Sequence, residues 1–381
     1  MKNPTPAQLQ ALADRARKLS RIDAPLPEAI HRIAAQNRIV GLSLILCRPD
    51  GANQALHHGY ARLSPRIPVT RETCFRAASV SKLVMTFGAL SLMESGLLGL
   101  DEDVSTYLGY PVRTPHAPDA PITLRMLLTH TSGICDEGNY GTLGMQPGTA
   151  LRTLLSDAQN WLPQSPGESF HYSNLGAGVA GCVMERAAGT PFDDIMQARV
   201  FAPLSIRASY DPRRIVPTSD LADGYAVRGI FPPRRKYDAA ALAARPPEPF
   251  DPEHDYLIAA GRMITDSDGM AALVRLLSSQ DGMGVLTPQS LALMRTQQDG
   301  MGGIDACGRG LNVAYLPGVF PGHDVLGHQG VAYGMCAELF ADPSSGCGVA
   351  LLTSGTRLVS SPPLMRAGFD LLALGFSHLN D

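Results

Sequence analysis

Apolar positions follow a strand pattern near both ends of the chain and a helix pattern between them. The first strand-like run, Ile39–Gly51, ends in an Asp-Gly turn signal, and Ala52–Leu63 is its expected hairpin partner. Four further strand-like runs lie within Leu311–Ser354. Strands and helices do not alternate as they do in parallel sheets, so the pattern predicts one antiparallel sheet built from both ends of the chain.

Helical patterns fill the middle of the chain. The long apolar run after Ser79 is interrupted by polar residues, which favours a helix buried in protein over a membrane span. A second helix follows Ser173 or Asn174, either of which suits an N-cap, and ends at Gly189. A third has an Asp/Ser cap and lies within Ile264–Ser279.

These patterns predict an α/β protein of the α+β type. Residues 1–78 and 290–381 are expected to form the sheet domain, flanked by helices, and residues 79–289 a mainly helical inserted domain. A cleft between two such parts is a favoured place for a binding site, so we expect the active site at their interface.

The amino-acid composition limits the classes of partner that we expect the protein to bind. The 381 residues are 45% hydrophobic and 18% charged, with a formal net charge of −3 and a pI of about 6.4. This balance suits a globular protein and favours neither nucleic acid nor an anionic membrane as a partner. No apolar segment typical of a secretory signal stands at the N-terminus, so we expect a cytoplasmic protein.

Cysteine and histidine positions do not indicate a cofactor. The chain has seven cysteines, an odd number, without a Cys-x-x-Cys pair, which favours free thiols in a reducing cytoplasm. The pairs His57-His58 and His254-Asp255 lack further ligands at suitable spacing, so we expect no metal site and no cofactor.

The first candidate site is Ser79-x-x-Lys82, at the head of the long apolar helix. Residues three apart share a helix face, so the Lys82 amine should lie beside the Ser79 hydroxyl. Burial and the positive end of the helix dipole both disfavour an ammonium, which should lower the pKa of the amine. A neutral lysine can take the serine proton and activate a nucleophile. The alternative is an exposed lysine beside an N-capping serine.

A second candidate lies in the irregular stretch after a Pro-Gly turn. Tyr172 and Asn174, two residues apart, can face one cleft. The phenol can pass a proton to a leaving group, and the amide can bond a substrate carbonyl or Lys82. The competing interpretation is a half-buried tyrosine beside a helix cap.

A third candidate is His328-x-Gly330, on a strand-like run. Glycine lets a substrate backbone approach closely, and the imidazole could orient the tyrosine hydroxyl or donate a hydrogen bond to substrate. The same three-residue pattern occurs at His57-x-Gly59 on the first hairpin, where we expect a structural role.

The proline- and arginine-rich segment Arg207–Phe250 is expected to be a long surface or pocket-lining loop. Its basic run, Arg234-Arg235-Lys236, could grip a substrate carboxylate. A solvated loop face is the favoured interpretation of that run.

Together, the three motifs resemble those of the class C β-lactamase superfamily of serine hydrolases. This superfamily includes penicillin-binding DD-peptidases, D-aminopeptidases and β-lactamase-like carboxylesterases. The motifs stand in the family's order and at suitable separations, and the resemblance extends over roughly residues 39–355. Three flanking stretches resemble the family as well, namely Leu127–Gly133, Pro166–Gly176 and Ala259–Leu273.

The resemblance implies an acyl-enzyme mechanism. Ser79 would attack a carbonyl, while Lys82 and Tyr172 would share the general-base and general-acid work. Asn174 would help to position Lys82 and the substrate. By the same analogy, the oxyanion hole would consist of the backbone N–H groups of Ser79 and Val331.

The third motif departs from the Lys-Thr-Gly that β-lactamases of this class usually carry. With His328 at this position, the groups that hold a β-lactam carboxylate are altered, and His328 and Gly330 resemble the substrate-binding residues of peptidases and esterases. We therefore expect an intracellular hydrolase of small esters or amides, with weak β-lactamase activity as an open side reaction. An acyltransferase that uses the same acyl-enzyme and a catalytically silent binding protein are the alternatives. The intact motifs argue against the silent protein.

Overall fold

The computed structural model describes residues 4–22, 24–142, 146, 148–247, 249–298, 308–361 and 363–379. The α-helices of these residues are α1 (Pro6–Leu19), α2 (Leu26–Asn37), α3 (Val80–Glu94), α4 (Ser105–Leu108), α5 (Leu124–Leu128), α6 (Leu151–Leu155), α7 (Asn174–Ala188), α8 (Phe192–Met196), α9 (Ala239–Ala243), α10 (Ile258–Gly261), α11 (Ser267–Ser278), α12 (Pro288–Arg295) and α13 (Arg366–Ser377). The strands are β1 (Gly41–Cys47), β2 (Asn53–Leu63), β3 (Arg66–Pro68), β4 (Phe75–Arg76), β5 (Ala208–Ser209), β6 (Gly224–Ala226), β7 (Arg234–Tyr237), β8 (Ile264–Thr265), β9 (Ala314–Phe320), β10 (His323–Ala332), β11 (Met335–Asp342), β12 (Cys347–Gly355), β13 (Ser360–Ser361) and β14 (Leu364–Met365).

A seven-stranded sheet frames the molecule, in the order β3-β2-β1-β12-β11-β10-β9, and its neighbouring strands are antiparallel. The two ends of the chain meet where β1 pairs with β12, for example at Leu44 opposite Leu351. The predicted fold class, an antiparallel sheet from both chain ends with helices around it, is confirmed.

Both faces of the sheet are covered, which explains the almost continuous apolar sequence of β1. Leu44 and Leu46 pack in one core with Phe369 of α13. Ile45 and Cys47 point the other way and join the core that contains α3, α7 and α11. Helix α3 lies inside that second core with little exposed surface, as its apolar sequence predicts.

Most of the regular secondary structure between β3 and β9 is helical, as predicted. Helix α11 belongs to this segment and still packs on β1, β11 and β12 of the sheet. The proposed domain boundaries at residues 78 and 290 stay a prediction.

The predicted loop Arg207–Phe250 is wrong in its central part, where β6 and β7 form a hairpin. Proline and arginine dominate the composition there and hide two short strands. Their inward side chains, Tyr225 and Tyr237, are buried, while the basic residues of β7 face solvent. The hairpin packs beside β12 and the turn that follows β10.

Two further features concern the whole chain. Within the described ranges, none of the helices combines the length and the apolar character that a membrane crossing requires. Six of the seven cysteines carry buried free thiols, and Cys307 lies outside the described residues.

Candidate active site

The segment that enters α3 presents a serine hydroxyl at a sharp bend. Ala78 has a φ of 46°, a left-handed conformation that non-glycine residues rarely adopt and that costs about 1–3 kcal/mol. Ser79 follows it, is partly exposed, and its side chain makes no capping hydrogen bond to α3. The hydroxyl is therefore not used to cap the helix, contrary to the alternative that the sequence left open.

Lys82 lies one turn further along α3, with none of its surface exposed. Its Nζ is 3.2 Å from the Ser79 Oγ, 2.8 Å from the Asn174 Oδ1 and 2.6 Å from the Ala260 carbonyl oxygen. The predicted meeting of the Ser79 hydroxyl and the Lys82 amine is thus present in the structure.

These three contacts suit an uncharged amine. A neutral amine has two N–H donors and one lone pair. The Asn174 Oδ1 and the Ala260 carbonyl can only accept hydrogen bonds, so they take both N–H groups. The lone pair of Lys82 is then left to accept the proton of Ser79.

Burial lowers the pKa of Lys82 from 10.5 to about 7. The Asp136 carboxylate opposes this shift, while the positive charge of Arg76 adds to it. A base with a pKa near neutrality is well matched to proton transfer at physiological pH.

Asp136 fixes the amide that faces Lys82. Its carboxylate accepts from the Asn174 Nδ2 at 2.8 Å, from the Asn174 backbone N–H at 2.8 Å and from the Leu175 N–H at 3.1 Å. It also accepts from the Ser173 hydroxyl, which caps α7 as predicted. Since the Asn174 Nδ2 is held by Asp136, its Oδ1 must turn toward Lys82.

Sequence reasoning missed Asp136 and Ala260. The free N–H groups at the start of α7 called for an acceptor, but nothing in the sequence says that residue 136 supplies it. Ala260 acts through its backbone carbonyl, which leaves no signature in the residue type.

Tyr172 lies beside the amine, with the Lys82 Nζ 5.0 Å from its ring centre. Burial raises the pKa of Tyr172 well above its usual value, although a nearby Ser79 hydroxyl opposes part of the rise. Among the described residues its hydroxyl has no hydrogen bond of good geometry. Tyr172 is therefore a neutral phenol near pH 7.

Two histidines pack against Tyr172. His130, which the sequence interpretation did not single out, lies 4.5 Å from it between ring centres, and His328 lies 6.2 Å away. Burial lowers the pKa of His328 to about 3, so its imidazole is neutral. Its Nδ1 lies 2.6 Å from the Gln329 carbonyl and donates to it, which leaves the Nε2 as an acceptor. The predicted hydrogen-bond donation to substrate is therefore disfavoured, and orientation of the phenol by His328 stays a prediction.

Strand β10 presents a free edge to the start of α3. Its pairing with β9 ends at Gly327, so among the described residues no strand pairs with that edge from His328 onward. A methyl group at Gly330 would lie 2.2 Å from the Ala77 carbonyl oxygen and 2.8 Å from the Ser79 nitrogen. Glycine is required there because the strand touches the nucleophile's own backbone.

The structure thus brings all seven predicted site residues into one region, namely Ser79, Lys82, Tyr172, Asn174, His328, Gly330 and Val331. It places His57 elsewhere, on β2 beside Ser43. Within the described part of the chain, no group of three His, Cys, Asp or Glu side chains is arranged to hold a metal ion.

Comparison with known proteins agrees with this geometry. The Beta-lactamase family model matches residues 26–369. Esterase EstB from Burkholderia gladioli is 30% identical over 383 residues, covering 92% of this chain and 94% of that protein.

Two solved structures share the fold. EstCE1, described as a hydrolase with promiscuous acyltransferase activity, has a TM-score of 0.73 at 28% identity and covers 98% of this chain and 100% of its own. The octameric penicillin-binding protein homologue from Pyrococcus abyssi has a TM-score of 0.74 at 22% identity, with coverages of 92% and 76%. The resemblance that the motifs indicated is confirmed, and the chain belongs to the β-lactamase family.

Proposed function

We propose that the protein is a serine hydrolase that cleaves small esters, with small amides as the alternative, through an acyl-enzyme on Ser79. The observation that carries this proposal is the buried Lys82 amine, 3.2 Å from the Ser79 hydroxyl, with both of its N–H groups directed to other acceptors. An amine held in this way has its lone pair available for one task, which is to receive the serine proton.

In the first step, the Ser79 Oγ attacks the substrate carbonyl while its proton passes to the Lys82 Nζ. The carbonyl oxygen gains negative charge in the tetrahedral intermediate. The backbone N–H groups of Ser79 and Val331 are our assignment for the oxyanion hole, supported by the close approach of Gly330 to the Ser79 nitrogen.

The intermediate collapses when the leaving group departs with a proton. We assign that proton to the Tyr172 hydroxyl, which then recovers one from the Lys82 ammonium. Because its pKa is raised, Tyr172 suits the role of a neutral acid better than that of a phenolate base. Asn174 holds Lys82 in place, and His328, beside the Tyr172 ring, is available to lie against the substrate.

Water releases the acyl group in the second step. The Lys82 amine, neutral again, takes a proton from water as the hydroxide equivalent attacks the ester carbonyl. The Ser79 oxygen leaves and recovers that proton, which restores the starting state. Proton count and charge therefore balance over the cycle without a cofactor.

An ester substrate is favoured over a β-lactam by two observations. A neutral His328 stands in the third motif, so no cation is supplied there for a β-lactam carboxylate. EstB, the relative named as an esterase, aligns over almost the entire chain. We place the reaction in the cytoplasm, which the buried free thiols support.

Acyl transfer is the second candidate. It uses the same acyl-enzyme and replaces water by an alcohol or amine. The likeness to EstCE1, whose description includes promiscuous acyltransferase activity, supports it. Product analysis of 4-nitrophenyl butyrate turnover with and without 1-butanol distinguishes the two, because transfer yields butyl butyrate.

The test is turnover of 4-nitrophenyl butyrate by Ser79→Ala. We expect the variant to lose at least about three orders of magnitude in kcat while its melting temperature stays near that of the wild type. Ser95→Ala, at the far end of α3, is the matched control and should keep the wild-type rate. A Ser79→Ala variant that keeps more than a tenth of the activity refutes the proposed nucleophile.

A further inference from the structure

A buried guanidinium stands three residues before the nucleophile. Arg76 ends β4, and its Nε donates to the Gly261 carbonyl at 2.7 Å. Its Cζ lies 5.3 Å from the ring centre of Tyr237 and 5.0 Å from that of Tyr333, and the two rings stack on each other. Two tyrosines and a backbone carbonyl thus surround the cation.

Among the residues that the structure describes, Arg76 lacks the carboxylate partner that its neighbour has. Arg262, close by, is paired with Asp255 at 2.7 Å. No ion pair joins Arg76 to an acid within the described ranges, and burial lowers its pKa. A charge removed from water without a counter-ion is costly, and the cation–π contacts with the two tyrosine rings offset only part of that cost. The residual cost would fall if an anion from outside the chain completed the pair.

The guanidinium and the backbone just before the reactive serine both lie close to Gly261. A methyl group built on Gly261 would lie 3.8 Å from the Arg76 Nη2 and 3.6 Å from the carbonyl carbon of Ala78. Arg76 therefore borders the residue that precedes Ser79. Arg76 also keeps some exposed surface, which gives a small ligand access to this residue.

An exposed tyrosine ring lies at the same place on the surface. Tyr333 follows Val331 by two residues, has a φ of 55° and is 44% exposed, which is unusual for a large ring at a bend. The adjoining Gly334 packs so closely on the Tyr225 carbonyl that a methyl group would lie 2.1 Å from it. The turn that carries Tyr333 is thereby fixed beside Arg76.

The acyl part of a substrate is the part that would meet this cation. Tyr172, as the acid for the leaving group, lies among His130, His328 and Lys82. Among the described residues, Arg76 has no ring contact with Tyr172. It lies beside Tyr333, which directly follows the last residue of β10. The residues that would contact the leaving group are therefore different from the residues that surround Arg76.

We propose that Arg76, with Tyr237 and Tyr333, binds a carboxylate carried on the acyl part of the substrate. A carboxylate at Arg76 presupposes the acyl-enzyme on Ser79 proposed above. The planar guanidinium can present two N–H donors to such a group, and the tyrosine rings would cover its aliphatic chain. The preferred substrate would be a half-ester of a dicarboxylic acid, or an equivalent acyl group with a terminal acid.

A purely structural role for Arg76 predicts something different. Its bond to Gly261 adjoins Ala260, whose carbonyl accepts from Lys82, so loss of Arg76 could disturb the base. That disturbance would slow all substrates alike. A binding role changes the preference between a charged and an uncharged acyl chain, so the ratio of the two rates separates the roles.

The experiment compares mono-4-nitrophenyl adipate with 4-nitrophenyl hexanoate at pH 8.5, where Lys82 is neutral. The two esters share leaving group and chain length and differ by the terminal carboxylate. We expect Arg76→Gln to lower the ratio of kcat/KM, adipate over hexanoate, by about 10- to 100-fold, as a hydrogen-bonded charge pair of about 1.5–3 kcal/mol implies. Arg76→Lys should restore part of the ratio. The control Arg262→Gln should leave it within about twofold.

The ratio also keeps the two proposals apart. If the wild type cleaves the hexanoate ester, Ser79→Ala does not, and Arg76→Gln leaves the ratio within threefold, the carboxylate site is refuted and the acyl-enzyme stands. If Ser79→Ala still cleaves hexanoate, the acyl-enzyme itself is refuted.

A wild-type measurement covers the case in which Arg76→Gln does not fold. Adipamic acid and hexanamide, the acid and the methyl version of one chain, are compared as competitive inhibitors of hexanoate cleavage. At least tenfold tighter inhibition by the acid supports the carboxylate site, and equal inhibition refutes it.

Discussion

Two strands of the same sheet carry a histidine and a glycine two residues apart, and they have different surroundings. Gly330 of the first motif, on β10, lies against the backbone of Ser79 at the start of α3, whereas His57 of the second, on β2, lies beside Ser43 of β1. In both, the glycine leaves no room for a side chain, since a methyl group would lie 2.2 Å from a backbone carbonyl oxygen. The pattern and the crowding are therefore shared.

The strand edges differ. At Gly59 the far edge is occupied, because the Val69 N–H donates to the Gly59 carbonyl at 3.0 Å. At Gly330 no described strand pairs with the corresponding edge, because the pairing of β10 with β9 ends at Gly327. An open edge leaves backbone N–H groups that a substrate or an oxyanion can use, and a closed edge does not.

The two histidines also have different neighbours. The His57 Nδ1 lies 3.0 Å from the Ser43 hydroxyl, within the hairpin. His328 is neutral and lies against Tyr172, which in turn adjoins Lys82. What distinguishes the candidate site is thus the neighbouring segment rather than the three-residue motif itself.

The largest contrast is expected from Gly330→Ala and Gly59→Ala. Both add a methyl group that collides with backbone at 2.2 Å, and Gly59 also has a φ of 73°, so both variants should lose stability. Only Gly330→Ala displaces the strand from the Ser79 nitrogen, so it should lower kcat of the folded protein by about 10²–10³-fold. Gly59→Ala should keep the wild-type kcat per folded molecule.

Melting curves and active-site titration measure the folded fraction that this comparison requires. Equal losses of kcat in the two variants would contradict the assignment of the β10 edge to the oxyanion hole.

A smaller contrast is expected from the histidines. His328→Asn removes the imidazole that packs on Tyr172 and should lower kcat/KM for 4-nitrophenyl butyrate by about 10- to 100-fold. His57→Asn should change it by less than about twofold, since its contacts stay within the β1–β2 hairpin. Steady-state kinetics of the two purified variants provide the comparison, and a result in the opposite order would reverse the assignment.

The fold could be predicted from the sequence because the signals that indicate each helix and strand are local. The continuous apolar run of β1, the cap at Ser173 and the apolar length of α3 each depend on residue types within a short stretch of sequence. The meeting of Ser79 and Lys82 follows from helical geometry alone.

The parts of the site that the sequence did not predict depend on contacts between segments that are distant along the chain. Asp136 orients Asn174, the Ala260 carbonyl fixes the amine, and His130 packs on Tyr172, yet none of these has a local signal. The β6–β7 hairpin was missed because its two inward tyrosines are too few to establish a period. Its Tyr237 packs against Arg76, while its basic run is exposed.

The central claim is that a neutral Lys82 activates Ser79, and the most direct test is the pH dependence of covalent labelling. A fluorophosphonate probe is reacted with the wild type between pH 5.5 and 9, and the rate of adduct formation is followed by intact-mass spectrometry and peptide mapping. Because the pKa of Lys82 is lowered to about 7, the amine is protonated below that pH and lacks its lone pair. The account predicts an adduct on Ser79 whose rate of formation rises about tenfold per pH unit below 7 and levels off above it. A flat profile, or an adduct on another residue, would contradict it.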